Sequence, residues 1–256
     1  MKAKVLSVFE EGSMVGTPLI GAEGLSILID VDEERTLFDT GGKGRYLMHN
    51  LGHLDILPES VCRIVISHGH SDHIGGMDSF LTERETPIAV IANRETLGTM
   101  ENRRTVTQPN ASKFVAERSE GWKQLSDHLF ALELPAAEVR RMLGRETVHE
   151  TALVLMTRGG PVLITGCAHT GIINAIETVK RITGKDVHAV VGGVHLVSKK
   201  NNELDDIASY LMNDIKTPLL YLSHCAVPKS KTQLRTKLGL KGLREFYVGT
   251  ELIFDV

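Results

Sequence analysis

Four metal-binding side chains fall within six residues of one stretch of the sequence. His68, His70, Asp72 and His73 directly follow the apolar run 61–66. Neutral imidazole nitrogens and carboxylate oxygens are the donors that zinc and neighbouring divalent ions prefer. In an extended or loop backbone, His68 and His70 point the same way and can bind one ion. Asp72 and His73, displaced sideways by a turn, can bind a second ion.

Two ions bound in this way would form a dinuclear site. At a separation of roughly 3.5–4 Å, such a pair can activate water and neutralise a phosphate or carbonyl oxygen. The alternative is a histidine-rich surface loop that binds metal adventitiously. The sequence favours the dinuclear site, because the cluster follows a predicted strand, ends in Gly75 and Gly76, and is matched by histidines elsewhere in the chain.

Several short motifs accompany this cluster along most of the chain. They are Asp39-Thr40-Gly41, Asn50-Leu51-Gly52, the cluster itself at 67–76, Gly166-Cys167-Ala168-His169-Thr170-Gly171-Ile172-Ile173-Asn174, Gly192-Gly193-Val194-His195-Leu196 and Ser223-His224-Cys225. The cluster alone resembles the signature of the metallo-β-lactamase superfamily. The order of all the motifs is similar to that of the 7,8-dihydropterin-6-methyl-4-(β-D-ribofuranosyl)aminobenzene-5′-phosphate synthase family, and the motifs at 166–169 and 192–196 are the more specific part.

This resemblance implies the fold and the cofactor. The fold would be an α/β sandwich of the αββα type, with two mixed β-sheets and outer helices, formed by one domain over residues 1–256. The cofactor would be two divalent metal ions, with zinc preferred and manganese or iron as alternatives. Asp39 would lie behind the ions and orient a metal-bound histidine rather than bind metal itself.

The resemblance also implies two ligand sets. His68, His70 and a third histidine would hold the first ion, and Asp72, His73 and His224 would hold the second. His224 follows a predicted strand at 218–222, in the position of the superfamily's last ligand.

The third histidine of the first set is left open between His169 and His149. His169 follows the predicted strand 161–164, and His149 precedes the predicted strand 151–156, where other members place this ligand. Many members carry a bridging aspartate where this chain has Cys167. A thiolate there would be a ligand that favours zinc or ferrous iron, and the alternative is a small buried packing residue.

The candidate catalytic residues are Asp72 and His195. His195 matches the family's Gly-Gly-x-His-Leu motif, where it could bind substrate or act as an acid or base near neutral pH. The resemblance implies condensation of a dihydropterin methyl diphosphate with an aminobenzene ribofuranosyl phosphate, with release of diphosphate. A metal-dependent hydrolase of a phosphodiester, phosphate ester or ester is the first alternative, and a metal- or ligand-binding sensor without activity is the second.

Composition limits which binding partners and which cellular compartment we expect for this protein. The chain of 256 residues has a formal net charge of −3, which gives no basic surface for nucleic acid. The three cysteines, Cys62, Cys167 and Cys225, lack the paired spacing of a disulfide framework and favour a reducing compartment. The sequence shows neither a signal-peptide pattern nor a membrane span, so we expect a cytoplasmic protein. The family resemblance implies a small phosphorylated, pterin-like substrate, and an oligomer is possible.

Apolar patterns predict the elements that position these residues. Strands are predicted at 4–9, 25–31, 36–39, 61–66 and 187–191, and helices at 44–51, 172–182 and 204–212. Periodicity weakens over 94–145, which we interpret as an insertion that roofs the site, with a long surface excursion as the alternative. A helix is predicted at 136–143 within it. Four cations of this segment, Arg103, Arg104, Lys113 and Arg118, could hold an anionic substrate or form a solvated face.

Overall fold

Two β-sheets pack face to face, and helices cover their outer faces. The structure, a computed structural model, describes residues 1–141, 144–196, 200–213, 219–226 and 228–256. Over these residues each large sheet has seven strands, in the orders β16-β1-β2-β3-β4-β5-β6 and β15-β14-β13-β12-β11-β8-β7, and a two-stranded hairpin, β9-β10, lies apart from them. The predicted αββα sandwich of two mixed sheets is therefore confirmed.

The strands of the first sheet precede those of the second along the chain, except for β16, which returns to the first sheet. In chain order the elements are β1 (Lys2–Phe9), β2 (Ser26–Val31), β3 (Glu34–Phe38), α1 (Gly44–His53), β4 (Arg63–Val65), α2 (Ser71–Ile74), α3 (Met77–Thr82), β5 (Ile88–Ala92), α4 (Arg94–Asn102), β6 (Phe114–Arg118), β7 (Trp122–Gln124), β8 (Leu129–Glu133), β9 (Ala137–Arg141), β10 (Gly144–Val148), β11 (Thr151–Thr157), β12 (Gly160–Thr165), α5 (Ile172–Thr183), β13 (Ala189–Gly192), α6 (Asn201–Asn213), β14 (Leu219–Leu222), α7 (Pro228–Gly242), β15 (Leu243–Glu245) and β16 (Glu251–Asp255).

The layers follow from the apolar pattern of each element. Side chains of both sheets, such as Phe38 and Ile164, form the core between the sheets. In α5, Ile172, Ile176 and Val179 recur at helical spacing and are buried against the second sheet. This helix ends at Gly184, whose left-handed φ of 67° suits a residue without a β-carbon.

Parallel strands bring the functional segments to one edge of the sandwich. In the first sheet β3, β4 and β5 are parallel, and in the second sheet β12, β13, β14 and β15 are parallel. Ser67 lies where the sheets meet, since its carbonyl accepts a 2.8 Å hydrogen bond from the backbone N–H of Thr151. The carboxyl ends of these strands therefore deliver the cysteine and histidine motifs to a common rim.

Most predicted elements are present, with shifted ends, but one is wrong. Residues 137–141 form strand β9 rather than the predicted helix, and they pair with β10 in an antiparallel hairpin. The alternation of Ala137, Glu138 and Val139 fits a strand once a partner is available. Residues 142 and 143 lie outside the described residues, as does residue 218 of the predicted strand 218–222.

The segment 94–145 is distributed over several parts of the fold. Its strand β6 pairs with β5 at the edge of the first sheet, and β7 and β8 extend the second sheet. Among the described strands, only β9 and β10 of this segment pair outside both large sheets. Over the same residues, the structure contains no helix that combines the length and the apolar character needed to cross a bilayer.

Replacing Gly24 by alanine is expected to destabilise the protein. Gly24 has a φ of +130°, and a β-carbon there would lie 2.3 Å from the carbonyl oxygen of Asp72. Backbone strain and steric overlap with this carbonyl should together lower the free energy of unfolding of Gly24→Ala by on the order of 2–3 kcal/mol, measured by chemical denaturation. Gly52→Ala is the matched control: Gly52 lies in α1 with nothing within 4 Å of its added β-carbon. Indistinguishable unfolding curves for the two variants would contradict this account of Gly24.

Candidate metal centre

Three histidines converge at the end of β4. The Nε2 atom of His68 lies 2.8 Å from Nδ1 of His70 and 3.3 Å from Nε2 of His169. A neutral imidazole has one donor and one acceptor, so one nitrogen facing two others fits a shared ion better than a hydrogen-bond network. Burial, followed by the neighbouring His73 and His70, holds the pKa of His68 well below its usual range. The neutral imidazole that this favours is the form that binds metal.

A second group lies beside the first. The carboxylate of Asp72 is 3.6 Å from Nε2 of His73 and 3.0 Å from Nε2 of His224. Burial alone would raise the pKa of Asp72, but the hydrogen bond from His224 and the nearby His73 hold it well below its usual range. Burial would lower the pKa of His224, but Asp72 and Glu11 raise it to about 10. Binding of a metal ion at this group would therefore release a proton.

Cys167 lies between the two groups. Its Sγ atom is 3.4 Å from Nε2 of His73 and, with His68 and His73, forms a third set of ligand atoms within 4.8 Å of one another. The side chain is buried. Cys167 thus occupies a position from which a thiolate could contact an ion of either group.

Asp39 and Ser67 support the histidines from behind. One carboxylate oxygen of Asp39 is 2.6 Å from Nδ1 of His73, and the other accepts a 2.7 Å hydrogen bond from the backbone N–H of Ser67. The Ser67 hydroxyl bonds Asp39 at 2.7 Å and lies 2.9 Å from Nδ1 of His68. These contacts leave Nε2 of His68 and His73 directed toward the ligand groups. That Asp39 orients a metal-bound histidine remains a prediction.

Replacing Asp39 by asparagine is expected to weaken metal binding without removing a ligand. An amide can turn its NH2 group toward Nδ1 of His73, which changes the tautomer that the carboxylate selects. Replacing a group that hydrogen-bonds a metal-binding histidine costs about 10–100-fold in metal affinity or activity. We expect D39N to lose metal affinity in this range, measured by competition with a chelator. Asp30→Asn, on a half-exposed salt bridge to Arg35, is the control and should bind metal normally. A wild-type affinity for D39N would show that Asp39 does not orient His73.

Sequence reasoning missed Glu150. This buried carboxylate accepts hydrogen bonds from the successive backbone N–H groups of Cys167, Ala168 and His169, at 2.6, 2.8 and 2.7 Å. Burial raises the pKa of Glu150, and these three bonds oppose that rise. The available signal was a glutamate directly before an apolar strand, which departs from the sequence usual for the superfamily there.

The structure brings His169, and not His149, into the ligand groups. Among the described residues, His149 belongs to none of the sets of three or more clustered ligand atoms. Its backbone carbonyl accepts a 2.9 Å hydrogen bond from the side chain of Asn93. The geometry thus favours His169 as the third histidine of the first group, and that assignment remains a proposal.

The centre opens into a cavity of about 590 Å³. The cavity lining includes His195, three glutamates (Glu11, Glu23 and Glu146), and one arginine, Arg103. Arg103 also donates a 3.0 Å hydrogen bond to the carbonyl of Gly69. The other cations singled out in the sequence lie elsewhere: Arg104 and Arg118 line a separate cavity, and Lys113 donates to the carbonyl of Leu81.

A two-sheet sandwich with outer helices and clustered histidine, aspartate and cysteine ligands at its strand ends defines the class of protein. That class is the metal-dependent enzymes with the metallo-β-lactamase fold. The family model of the metallo-beta-lactamase superfamily matches residues 20–181, and the chain belongs to this superfamily. The predicted superfamily membership is therefore confirmed, and members of this superfamily usually bind divalent metals.

Relatives within the superfamily differ in what they act on. A 7,8-dihydropterin-6-methyl-4-(beta-D-ribofuranosyl)-aminobenzene-5′-phosphate synthase of Methanocaldococcus jannaschii is 26% identical over 235 residues, which cover 78% of this chain and 80% of the relative. Exodeoxyribonuclease WalJ of Streptococcus pneumoniae is 29% identical over 250 residues, which cover 92% of this chain and 90% of the relative. The crystal structure of Tm1679, a metal-dependent hydrolase of the β-lactamase superfamily, has a TM-score of 0.78, 23% identity and 98% coverage of both chains.

Proposed function

We propose that this protein is a dinuclear metal-dependent transferase that acts on a small phosphorylated, pterin-like substrate. The reaction would join a dihydropterin methyl diphosphate to an aminobenzene ribofuranosyl phosphate and release diphosphate. The carrying observation is the pair of adjacent ligand groups, three histidines and Asp72-His73-His224, at the base of one cavity. The shared motif order and the synthase relative of Methanocaldococcus jannaschii support this choice of substrate.

The residues present fit a dinuclear centre. His68, His70 and His169 would hold one ion, and Asp72, His73 and His224 the other. Two divalent ions, preferably zinc, would supply positive charge that stabilises the leaving oxygens of a diphosphate. Because the lining glutamates are acidic, this charge is also what would make the cavity attractive to a phosphorylated substrate.

The reaction requires one bond exchange and one proton transfer. The arylamine nitrogen forms a bond to the methylene carbon of the dihydropterin, the carbon–oxygen bond to diphosphate breaks, and the amine loses a proton. The Arg103 guanidinium lies at the cavity and can orient a phosphate group through charge-assisted hydrogen bonds. Acid or base action by His195, which also lines the cavity, remains a prediction from the sequence.

The hairpin of β9 and β10 is our candidate for the roof of the site. Val139 of β9 and Glu146 of β10 both line the cavity, and the Glu146 carboxylate is 3.5 Å from Nε2 of His70. A hairpin held to the centre by such contacts can exclude water from a reacting substrate. The proposed insertion is thereby narrowed from 94–145 to the part that reaches the cavity.

The direct test is release of diphosphate from a dihydropterin methyl diphosphate by anaerobically purified, metal-loaded protein. We expect release only when the aminobenzene ribofuranosyl phosphate is also present, together with a joined product detected by mass spectrometry. Release that ignores the amine would identify a phosphohydrolase. An absence of release under both conditions would contradict the proposed substrates.

A metal-dependent phosphodiesterase is the second candidate. The observation that favours it is the exodeoxyribonuclease relative, which aligns over more of this chain than the synthase relative does. The same ligand groups would serve, because metal ions can activate water for attack on a phosphodiester. Metal-dependent release of nucleotides from a DNA oligonucleotide would support this candidate and would overturn the expectation that nucleic acid is not a partner.

A further inference from the structure

Two side chains at the centre remain outside both proposed ion sites. His195 follows β13, and Cys225 follows β14 directly after the ligand His224. Together with Cys167 they place three ligand atoms, two sulfurs and one imidazole nitrogen, within 4.8 Å of one another. The sequence predicts neither His195 nor Cys225 as a metal ligand.

The separation of the two sulfurs suits a shared ion. Sγ of Cys225 lies 3.5 Å from Sγ of Cys167. Two thiolates on one tetrahedral zinc, each at about 2.3 Å, would be about 3.8 Å apart. A disulfide would require about 2.05 Å. The thiols are thus placed nearer to the geometry of a metal site than to that of a covalent pair.

The backbone holds these side chains in an unusual conformation. His195 and Cys225 both have positive φ values, 42° and 52°, which residues other than glycine rarely adopt. The backbone N–H of His195 donates to Sγ of Cys225 at 3.1 Å, and the N–H of Leu196 donates to the Cys225 carbonyl at 2.9 Å. Backbone strain of this kind is concentrated at functional sites, and here it turns both side chains toward Cys167.

A glycine and an unpaired nitrogen complete the arrangement. Gly193 lies across from Cys225, and a β-carbon there would be 3.1 Å from the sulfur and 2.1 Å from the carbonyl oxygen of Gly166. Over the part of the chain that the structure describes, the buried Nδ1 atom of His195 has no hydrogen-bond partner. An unsatisfied buried nitrogen is rare in folded proteins, and this one belongs to a ring that also offers a ligand atom beside the two sulfurs.

We propose that Cys167, His195 and Cys225 form a third metal-binding group, which takes a thiophilic divalent ion such as zinc. Cys167 also lies beside His68 and His73, so a thiolate there would be within reach of the neighbouring ion sites. An imidazole that binds metal cannot also accept the proton of the reaction. With an ion bound at this group, His195 would be a ligand, and the acid or base role predicted from the sequence would pass to another group.

The test is an optical titration of the metal-free, reduced protein with cobalt(II) under anaerobic conditions. Thiolate ligands give cobalt an intense near-ultraviolet charge-transfer absorption, which counts the sulfurs bound. We expect three equivalents to bind to the wild type, and we expect Cys225→Ala to lose the third equivalent and about half of this absorption, since one of two thiolates remains. Cys62→Ala is the matched control, because Cys62 is an exposed thiol, and it should titrate like the wild type.

A second variant keeps the test decisive if Cys225→Ala does not fold. His195→Gln leaves all thiols in place, and we expect it to lose the third equivalent while the first two bind as in the wild type. Full absorption and three equivalents in Cys225→Ala, or three equivalents in His195→Gln, would overturn the proposal. So would a wild type that binds two equivalents and shows the absorption of a single thiolate.

Discussion

His70→Ala is expected to lose an ion and nearly all activity. His70 is one of three histidines whose nitrogens meet at the first group, and its Nδ1 atom is 2.8 Å from Nε2 of His68. Two histidines alone leave a zinc ion short of the three protein ligands that catalytic sites use. Since even removal of an outer partner costs up to about 100-fold, we expect a loss in activity of at least about 100-fold.

The metal content of the variant is measured by inductively coupled plasma mass spectrometry. The rate of diphosphate release is measured on the same sample. His53→Ala is the matched control: His53 is an exposed histidine at the end of α1, away from the ligand groups, and its variant should keep the wild-type metal content and rate. Full metal content and full activity in His70→Ala would exclude a metal centre at His68, His70 and His169. Metal loss with unchanged activity would separate the reaction from this group.

Glu150→Ala is expected to be the most destabilising single change at the site. The truncation leaves three buried backbone N–H groups, of Cys167, Ala168 and His169, without their acceptor. An unsatisfied buried donor costs about 1–3 kcal/mol, so the three together cost on the order of 4 kcal/mol once water entry is allowed for. This is a large part of the total stability of a typical protein, about 5–15 kcal/mol.

The same change should loosen the segment that carries two candidate ligands, Cys167 and His169. We therefore expect Glu150→Ala to lower the midpoint of urea unfolding and also to reduce zinc affinity in the fraction that folds. Glu133→Gln is the control, because its carboxylate accepts one bond, from the partly exposed N–H of Gly121 at 3.2 Å. Unfolding of Glu150→Ala at the wild-type midpoint would mean that the three bonds do not stabilise the segment.

The strand ends that carry the candidate ligands were predictable from the sequence. Apolar runs followed by histidine motifs predict strands that end at a common rim, because parallel strands share their carboxyl edge. His169, His195 and His224 do follow the ends of β12, β13 and β14 in this way. Local pattern also located Asp39, since its motif directly follows a strand.

The contacts between distant segments could not be read from the sequence. Glu150 bonds residues 17 to 19 positions away, and Cys225 meets Cys167 across 58 positions. No periodicity records such pairs, which depend on how two loops pack at the rim. The helix prediction at 136–143 was wrong for a related reason. Pairing of residues 137–141 with strand β10 outweighs their weak local preference for a helix.

Anomalous X-ray diffraction from crystals of the zinc-loaded protein, measured at the zinc edge, would test the dinuclear centre directly. Besides zinc at the group of Cys167, His195 and Cys225, we expect one anomalous peak within bonding distance of His68, His70 and His169, and another within bonding distance of Asp72, His73 and His224. Ordered zinc at other places, with no peak at either group, would contradict a dinuclear metal centre in this protein.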